Sequence, residues 1–551
     1  MSALYSHLVS ELRRTFVQPD SGRDHDDAFV PCLLRSLGQA DAMKSESPIL
    51  GSLESLDFAK ARTRRMSDHP LSLERVTEHV VEHLSGMFIS GHPRAQINVA
   101  PSPTIPSIIG GLLPSLYNPN LVSDESSQRM AVAEIEAASI AADLVGYDAQ
   151  RSGGVFTFGG TGTTLYGVKI GLEKSCPGTM HKGVRETSRI VCSECAHYAA
   201  RTVAGWLGMG FDSIADVPTD ESSEMRTCLL ESMCRDLLKR GEKLAAIIAT
   251  LGTTDAFGLD DLHEIVAVRD RLVDEFALDY VPHIHADAVI GWAWAVFNDY
   301  DFDKNPLEFP GRTLRALTGI HRRVRHLGLA DSIGIDFHKT GFAPYVSSLF
   351  LVRDKADLAR IAQPAASMPY LFKAANYHPG QFTLETSRPG GGALAALANL
   401  LLFGKNGMRA VLGHLVTMAE TLRERLKAYS GVQVLNCGNF GPVTLFRVYP
   451  AGVDATSFAV RERRDPACRD KVREYNAYNR RIFEVIQAEA IQGRGVAISF
   501  TDCHRETDYG DPIVALKSYI MSPFSEVRHI ELLVESIEKA RKAAGDASAQ
   551  L

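Results

Sequence analysis

The chain is 551 residues long, with 45% hydrophobic and 23% charged residues. That is the balance of a globular protein with more than one domain, not of a disordered or fibrous chain. Its 59 basic against 66 acidic side chains leave a formal net charge of -7, which argues against nucleic acid or an anionic membrane as the main partner. No run of about 18 apolar residues occurs, no basic-then-apolar leader opens the chain at Met1 to His7, and the nine cysteines are an odd, scattered set. The expectation is a cytoplasmic protein with reduced thiols and no membrane contact.

Residues 1 to about 60 read as irregular and helical pieces with a polar loop over 18–27. From Ser72 to Met87 the residues Leu73, Val76, Val80, Val81 and Leu84 recur at helical spacing and predict an amphipathic helix. The proline-rich, polar stretch 91–104 predicts an ordered loop, and a helix follows over 131–145. From Gly153 to about Val352, strand-like apolar runs at 155–158, 190–192, 244–250, 281–286 and 348–352 alternate with helical patterns. This predicts a mainly parallel sheet covered on both faces, with ligands beyond the carboxyl ends of its strands. After Gly390 to Gly392 a helix runs through Leu402, and 410–551 reads as a mixture of helices and short strands. The expected organisation is a helical and loop segment over 1–125, a large α/β domain over 126–405 and a small α+β domain over 406–551.

Five strand ends carry chemistry. Phe158-Gly159-Gly160-Thr161-Gly162-Thr163-Thr164 joins a strand to a helix, where small residues and unpaired N–H groups can cradle a phosphate. It has neither the Gly-Lys-Ser/Thr of a Walker loop nor the third glycine of a Rossmann fingerprint. His197 follows the next strand and offers a flat ring. The turn from Leu251 to Asp261, with Thr253, Thr254 and Asp255, suits a pocket rim, and His285-Ala286-Asp287-Ala288 ends a strand with a carboxylate that could pair with a protonated ring nitrogen. His283, His285 and Asp287 share one side of that strand, but neighbours two apart are roughly 7 Å apart and chelate poorly. Cys192 and Cys195 form a C-x-x-C without a second pair at zinc spacing. No metal is expected. The last strand end is Asp331-Ser332-Ile333-Gly334-Ile335-Asp336-Phe337-His338-Lys339, where desolvation is expected to lower the lysine's pKa and free its amine for attack on an aldehyde.

Taken in order, these motifs supply what pyridoxal 5'-phosphate chemistry requires: phosphate cradle, ring stack, ring-nitrogen carboxylate and Schiff-base lysine. From about His92 onward the chain resembles the group II pyridoxal-phosphate amino-acid decarboxylases, which act on aromatic amino acids, tyrosine, glutamate and aspartate. The resemblance implies an α/β chain of the aspartate-aminotransferase class (fold type I), homodimeric, with the active site at the subunit interface. It implies that Lys339 bonds the cofactor, Asp287 pairs with its ring nitrogen, His197 stacks on the ring, Gly162, Thr163 and His338 line the phosphate, and Thr254 and Ala288 border the ring. A loop tyrosine returns a proton in the family. Tyr370 and Tyr377 both fall in the region, and Tyr377 matches the family arrangement relative to Arg388 better.

The chain departs from the family in having Phe337 before His338-Lys339, Ala286 before Asp287, and an added basic segment over 306–328. Gly341 to Ser348 is also similar to the sphingosine-phosphate lyases, which cleave a carbon–carbon bond retro-aldolically. The loop 96–104 is, by resemblance, a substrate wall, and Asn98 and Ser102 stand where aromatic-specific relatives present bulky rings. The expected substrate is therefore a small or acidic amino acid such as aspartate or glutamate. The alternatives are an aromatic, tyrosine-type decarboxylase, a related carbon–carbon lyase or aldehyde-forming enzyme on the same cofactor, and a non-catalytic or metal-binding α/β protein in which Lys339 is structural.

Overall fold

The computed structural model describes residues 3–19, 28–369, 376–429 and 431–546. Its strands are β1 (Ala95–Gln96), β2 (Gly153–Thr157), β3 (Ser188–Ser193), β4 (Ile214–Val217), β5 (Lys243–Thr250), β6 (His283–Asp287), β7 (Ser332–Asp336), β8 (Ser348–Val352), β9 (Val432–Val434), β10 (Val443–Val448), β11 (Ala497–Glu506) and β12 (Pro512–Tyr519). Seven of them form one sheet in the order β2-β8-β7-β6-β5-β3-β4. Only β8 runs against its neighbours; the other paired strands are parallel.

The apolar run of β5 shows why this sheet forms. Ile247 and Ala249 pack into one buried cluster with Leu262, Ile265 and Val268 of the Leu262–Phe276 helix. Ala246 and Ile248 point the other way, into a second cluster with Val168, Ala200 and Val203. Both faces are covered, so the strand needs no polar alternation. The Gly160–Ser175 helix sits close to the sheet because it carries glycine where it touches it. A Cβ on Gly167 would stand 2.5 Å from His285 Nδ1, and one on Gly171 would run into the Ala245 carbonyl oxygen.

The second sheet has the order β1-β11-β12-β10-β9. Here β1, within the stretch expected to be a loop, pairs parallel to β11 through Ala95–Ala497 and Gln96–Ile498. The register of β11 on β12 shifts between Thr501 and Arg505, the kind of irregularity that re-aims side chains beside a site. A helix over Gly391–Lys427 links the two sheets and breaks its helical path at Gly404, whose φ is 51°. Ahead of it Arg388 is buried against Glu134 and also donates to the carbonyls of Phe156 at 3.0 Å and Leu121 at 2.8 Å. The chain entering the long helix is thereby tied to β2.

Candidate active site

All parallel strands of the large sheet end at one edge. There Thr157 ends β2, Ser193 β3, Thr250 β5, Asp287 β6 and Asp336 β7. Three of these hydroxyls, on Thr157, Ser193 and Thr250, are buried without a hydrogen-bond partner among the described residues. Lys339 leaves β7 by three residues, and its Nζ lies 2.9 Å from Asp336 Oδ2, with the lysine side chain 20% exposed. The Ser348 hydroxyl donates to Asp336 Oδ1 at 2.6 Å, and His338 Nε2 stands 3.5 Å from Oδ2.

This contact corrects the expected electrostatics of Lys339. Burial alone would lower its pKa, but the carboxylates of Asp336 and Asp287 outweigh it and hold the ammonium above the ordinary lysine range. Asp287, buried on the neighbouring strand, is also raised, here by burial and against the opposing pull of Lys339 and His197. His197 accepts at Nδ1 from the Ala199 N–H at 3.1 Å, and burial lowers its pKa, so a neutral flat ring faces the site.

Lys339, His197 and Thr254 line one cleft of about 660 Å³ together with Asn98. Cys503 and His504, beside the irregularity in β11, complete it from the small sheet. Burial brings the His504 pKa down to about 3, so this wall is uncharged. Gly162, Thr163, Asp287, Ala288 and His338 are buried and are not among the residues lining the cleft. A Cβ on Gly162 would meet Thr157 Oγ1 at 2.5 Å, Thr163 donates to the Gly160 carbonyl at 2.8 Å, and His338 Nδ1 contacts the Ser347 carbonyl at 3.1 Å.

Two expected residues lie elsewhere. Ser102 packs against Gly91, where a Cβ would come within 2.6 Å of it, and it is not part of the cleft lining. Tyr377 lines a separate cavity of about 540 Å³ beside Ile135, Leu358 and Phe382, and its carbonyl accepts from the Asp124 N–H at 3.1 Å. Tyr370 lies outside the described residues. His283 Nε2 and His285 Nδ1 both bond the Ser332 hydroxyl at 2.8 Å, a structural use of the pair. Among the described residues no group of three His, Cys, Asp or Glu is placed to hold a metal ion. Cys192 is buried, with its thiol pushed up to about 12.

The residues fit pyridoxal phosphate. An amine for its carbonyl reaches the cleft, a buried carboxylate ends the adjacent strand, and a neutral imidazole faces them. The phosphate end has the open start of the Gly160–Ser175 helix, where a Cβ on Gly159 would meet nothing within 4 Å and its φ of 115° suits glycine.

Three residues had no role of their own in the sequence reading. Asp336 stood inside the lysine motif without a role. Glu194 lines the cleft, and its Oε1 accepts from the Thr219 N–H at 2.8 Å and hydroxyl at 2.7 Å. Asp255, also in the lining, is bound by Lys517 at 2.7 Å and by the Thr501 hydroxyl at 3.1 Å. An acid two places before His-Lys was a visible cue for the first; the other two depend on distant segments.

Comparison with known proteins agrees with this geometry. Residues 58–298 match the model of the pyridoxal-dependent decarboxylase conserved domain. The chain is 26% identical over 378 residues to an L-2,4-diaminobutyrate decarboxylase of Acinetobacter baumannii, covering 66% of this chain and 68% of that one. It is 24% identical over 353 residues to the acidic amino acid decarboxylase GADL1 of Bos taurus, covering 63% and 61%. Among solved structures, mouse CSAD in its apo form superposes with a TM-score of 0.76 at 19% identity over 93% of this chain and 98% of that one. The glutamate decarboxylase domain of a Vibrio parahaemolyticus protein gives 0.73 at 17% over 97% and 99%. Among the described residues no helix is long and apolar enough to cross a membrane. The fold, the strand-end residues and the matched domain agree with one another and support the group II pyridoxal-phosphate-dependent decarboxylase family, and the relatives the chain is similar to are amino-acid decarboxylases.

Proposed function

We propose that this chain releases the α-carboxylate of an L-amino acid as carbon dioxide and leaves the amine, in the cleft beside Lys339. The observation that carries the reading is that Lys339 and His197 line one cleft while Asp287, buried at the end of the neighbouring strand, interacts electrostatically with both. Pyridoxal phosphate, when bound, supplies a carbonyl for amines and a cationic ring that accepts the electrons left by carbon dioxide. Lys339 would be the residue to hold it covalently, Asp287 the carboxylate to keep its ring nitrogen protonated, and His197 the ring to stack on it. Gly162, Thr163 and His338 would support its phosphate, and Thr254 and Ala288 would border its ring. Tyr377 lines another cavity of its own chain, so within this chain it is not placed to return the proton as the family's loop tyrosine does. A cytoplasmic homodimer is part of the reading, supported by nine free cysteines and an exposed apolar helix face.

For the substrate, Asn98 in the cleft wall supports a small or acidic amino acid. A second reading rests on charge. Lys339 is held by Asp336 and Asp255 by Lys517, which leaves Glu194 as the charged lining residue with no ion-pair partner among the described residues. A side-chain ammonium finds a partner there and a side-chain carboxylate does not. This favours a diamino acid, in keeping with the diaminobutyrate decarboxylase relative.

Carbon dioxide release and amine formation across a panel of acidic, small, diamino and aromatic amino acids, with the cofactor supplied, test the reading. Turnover of at least one amino acid is expected, together with loss of the visible cofactor absorbance in Lys339→Ala. Aldehyde and ammonia as the products, or no visible band in the wild-type protein, would overturn it.

A further inference from the structure

The buried carboxylate of Asp336 is not used by the functional reading, and its surroundings are built. It is 1% exposed. Its strand pairs with β8 so that Asp336 stands directly opposite Ser348, and the serine hydroxyl fixes Oδ1 at 2.6 Å. The other oxygen is left to Lys339 at 2.9 Å and His338 at 3.5 Å. A carboxylate held by a neighbouring strand and aimed at the lysine amine is a fixed acceptor, not a surface pair that solvent could replace.

We infer that Asp336 is a positioning residue for Lys339: anchored by Ser348, it holds the lysine nitrogen at the cleft in its protonated form and takes it back whenever the nitrogen is released. This rests on the reading of Lys339 as the covalent anchor. A carboxylate within hydrogen-bond reach favours the cation, whether the nitrogen is an ammonium or is bonded to a carbonyl carbon. Without it, a released lysine could leave the cleft along its four flexible side-chain bonds.

The other groups around this nitrogen do not replace Asp336. Asp287 acts on it from β6. His197 faces it from the segment after β3 with a pKa lowered by burial. His338, adjacent in the chain, is likewise lowered by burial. Tyr345, whose ring lies 4.1 Å from that of His338, has its own pKa raised by burial. Asp336 is the one of these to which Lys339 is directly hydrogen-bonded.

The test compares the full-length, cofactor-loaded wild type with Asp336→Asn and Asp336→Glu, following visible absorbance against pH. The asparagine is nearly the same shape and still accepts from Ser348. Its titration midpoint is expected to fall by about one pH unit or more, and the glutamate variant should recover part of the shift. A second readout needs no cofactor: competitive acetylation of Lys339 in cofactor-free protein, read by mass spectrometry. The wild-type midpoint is expected above that of the exposed lysines, and the asparagine midpoint below the wild type. An unchanged absorbance midpoint in folded Asp336→Asn overturns the inference. So does a wild-type Lys339 that acetylates at lower pH than the exposed lysines, even if no variant folds. Absence of any visible band in the wild type defeats the reading of Lys339 itself, so the two failures are distinguishable.

Discussion

Carboxylates in and behind the cleft are sorted by their neighbours. Asp287 is buried and raised, Asp336 is bound to Ser348 and Lys339, and Asp255 is matched by Lys517. Glu194 keeps its charge open to the cleft, and a hydrogen bond between charged groups contributes about 1.5–3 kcal/mol. Glu194→Gln is therefore expected to raise KM for a diamino acid about tenfold or more while leaving kcat close to the wild-type value. Steady-state kinetics check this, and an unchanged KM would remove the charge reading in favour of Asn98 and a small or acidic substrate. At this scale Lys339, Asp287 and His197 were legible because each stands in a short motif at a strand end. Asp336 was equally visible but had no role, since alternation along a strand does not say which oxygen meets which amine.

The Gly160–Ser175 helix carries both the expected phosphate cradle and the glycines that bring it down on the sheet. Gly171→Ala places a methyl group against the Ala245 carbonyl, and such overpacking typically costs about 1–3 kcal/mol. Denaturant unfolding is expected to show that loss, with weaker retention of the cofactor; an unchanged midpoint would mean the helix has slack over β5. Elements with strong patterns were readable. The helix predicted over 72–87 is present as Leu73–Glu82, with the Ser72 hydroxyl capping its start, and the predicted β3, β5 and β8 lie where the apolar runs are. Three strands were missed. β11 is apolar and fully buried only at its start and turns polar and partly exposed along the rest of its length. β4 is a four-residue strand, mostly only partly buried, so it lacks an apolar run. β1 is two residues whose partners come 402 positions later, and no local pattern reports such a pairing.

The cleft is assembled from three regions of the chain: the segment around Asn98, the ends of the large sheet, and β11 of the small sheet. On the outside, the Ile105–Tyr117 helix packs one side on the Gly391–Lys427 helix, with Gly110 close to Ala395. Its other side exposes Ile105 at 75% and Tyr117 at 80%, with Ile108, Ile109 and Leu113 between them. A contiguous apolar face of this kind is suited to a second copy of the chain. If the homodimer forms there, Ile109→Glu buries an unpaired charge and weakens association by at least about a hundredfold. Sedimentation should then show monomer where the wild type is dimeric, and a dimer unaffected by the substitution would place the interface elsewhere.

By itself the sequence determined the chemistry and the sheet that carries it. Strand ends are local events, and a lysine, a carboxylate, a histidine and a glycine-rich turn announce themselves in a few residues each. Only the tertiary structure decided how those groups are charged and enclosed. Pairing Lys339 with Asp336, matching Asp255 to Lys517, leaving Glu194 open and setting Tyr377 in another cavity are mostly contacts between distant segments. Their electrostatic consequences follow from burial and distance, which no local pattern encodes.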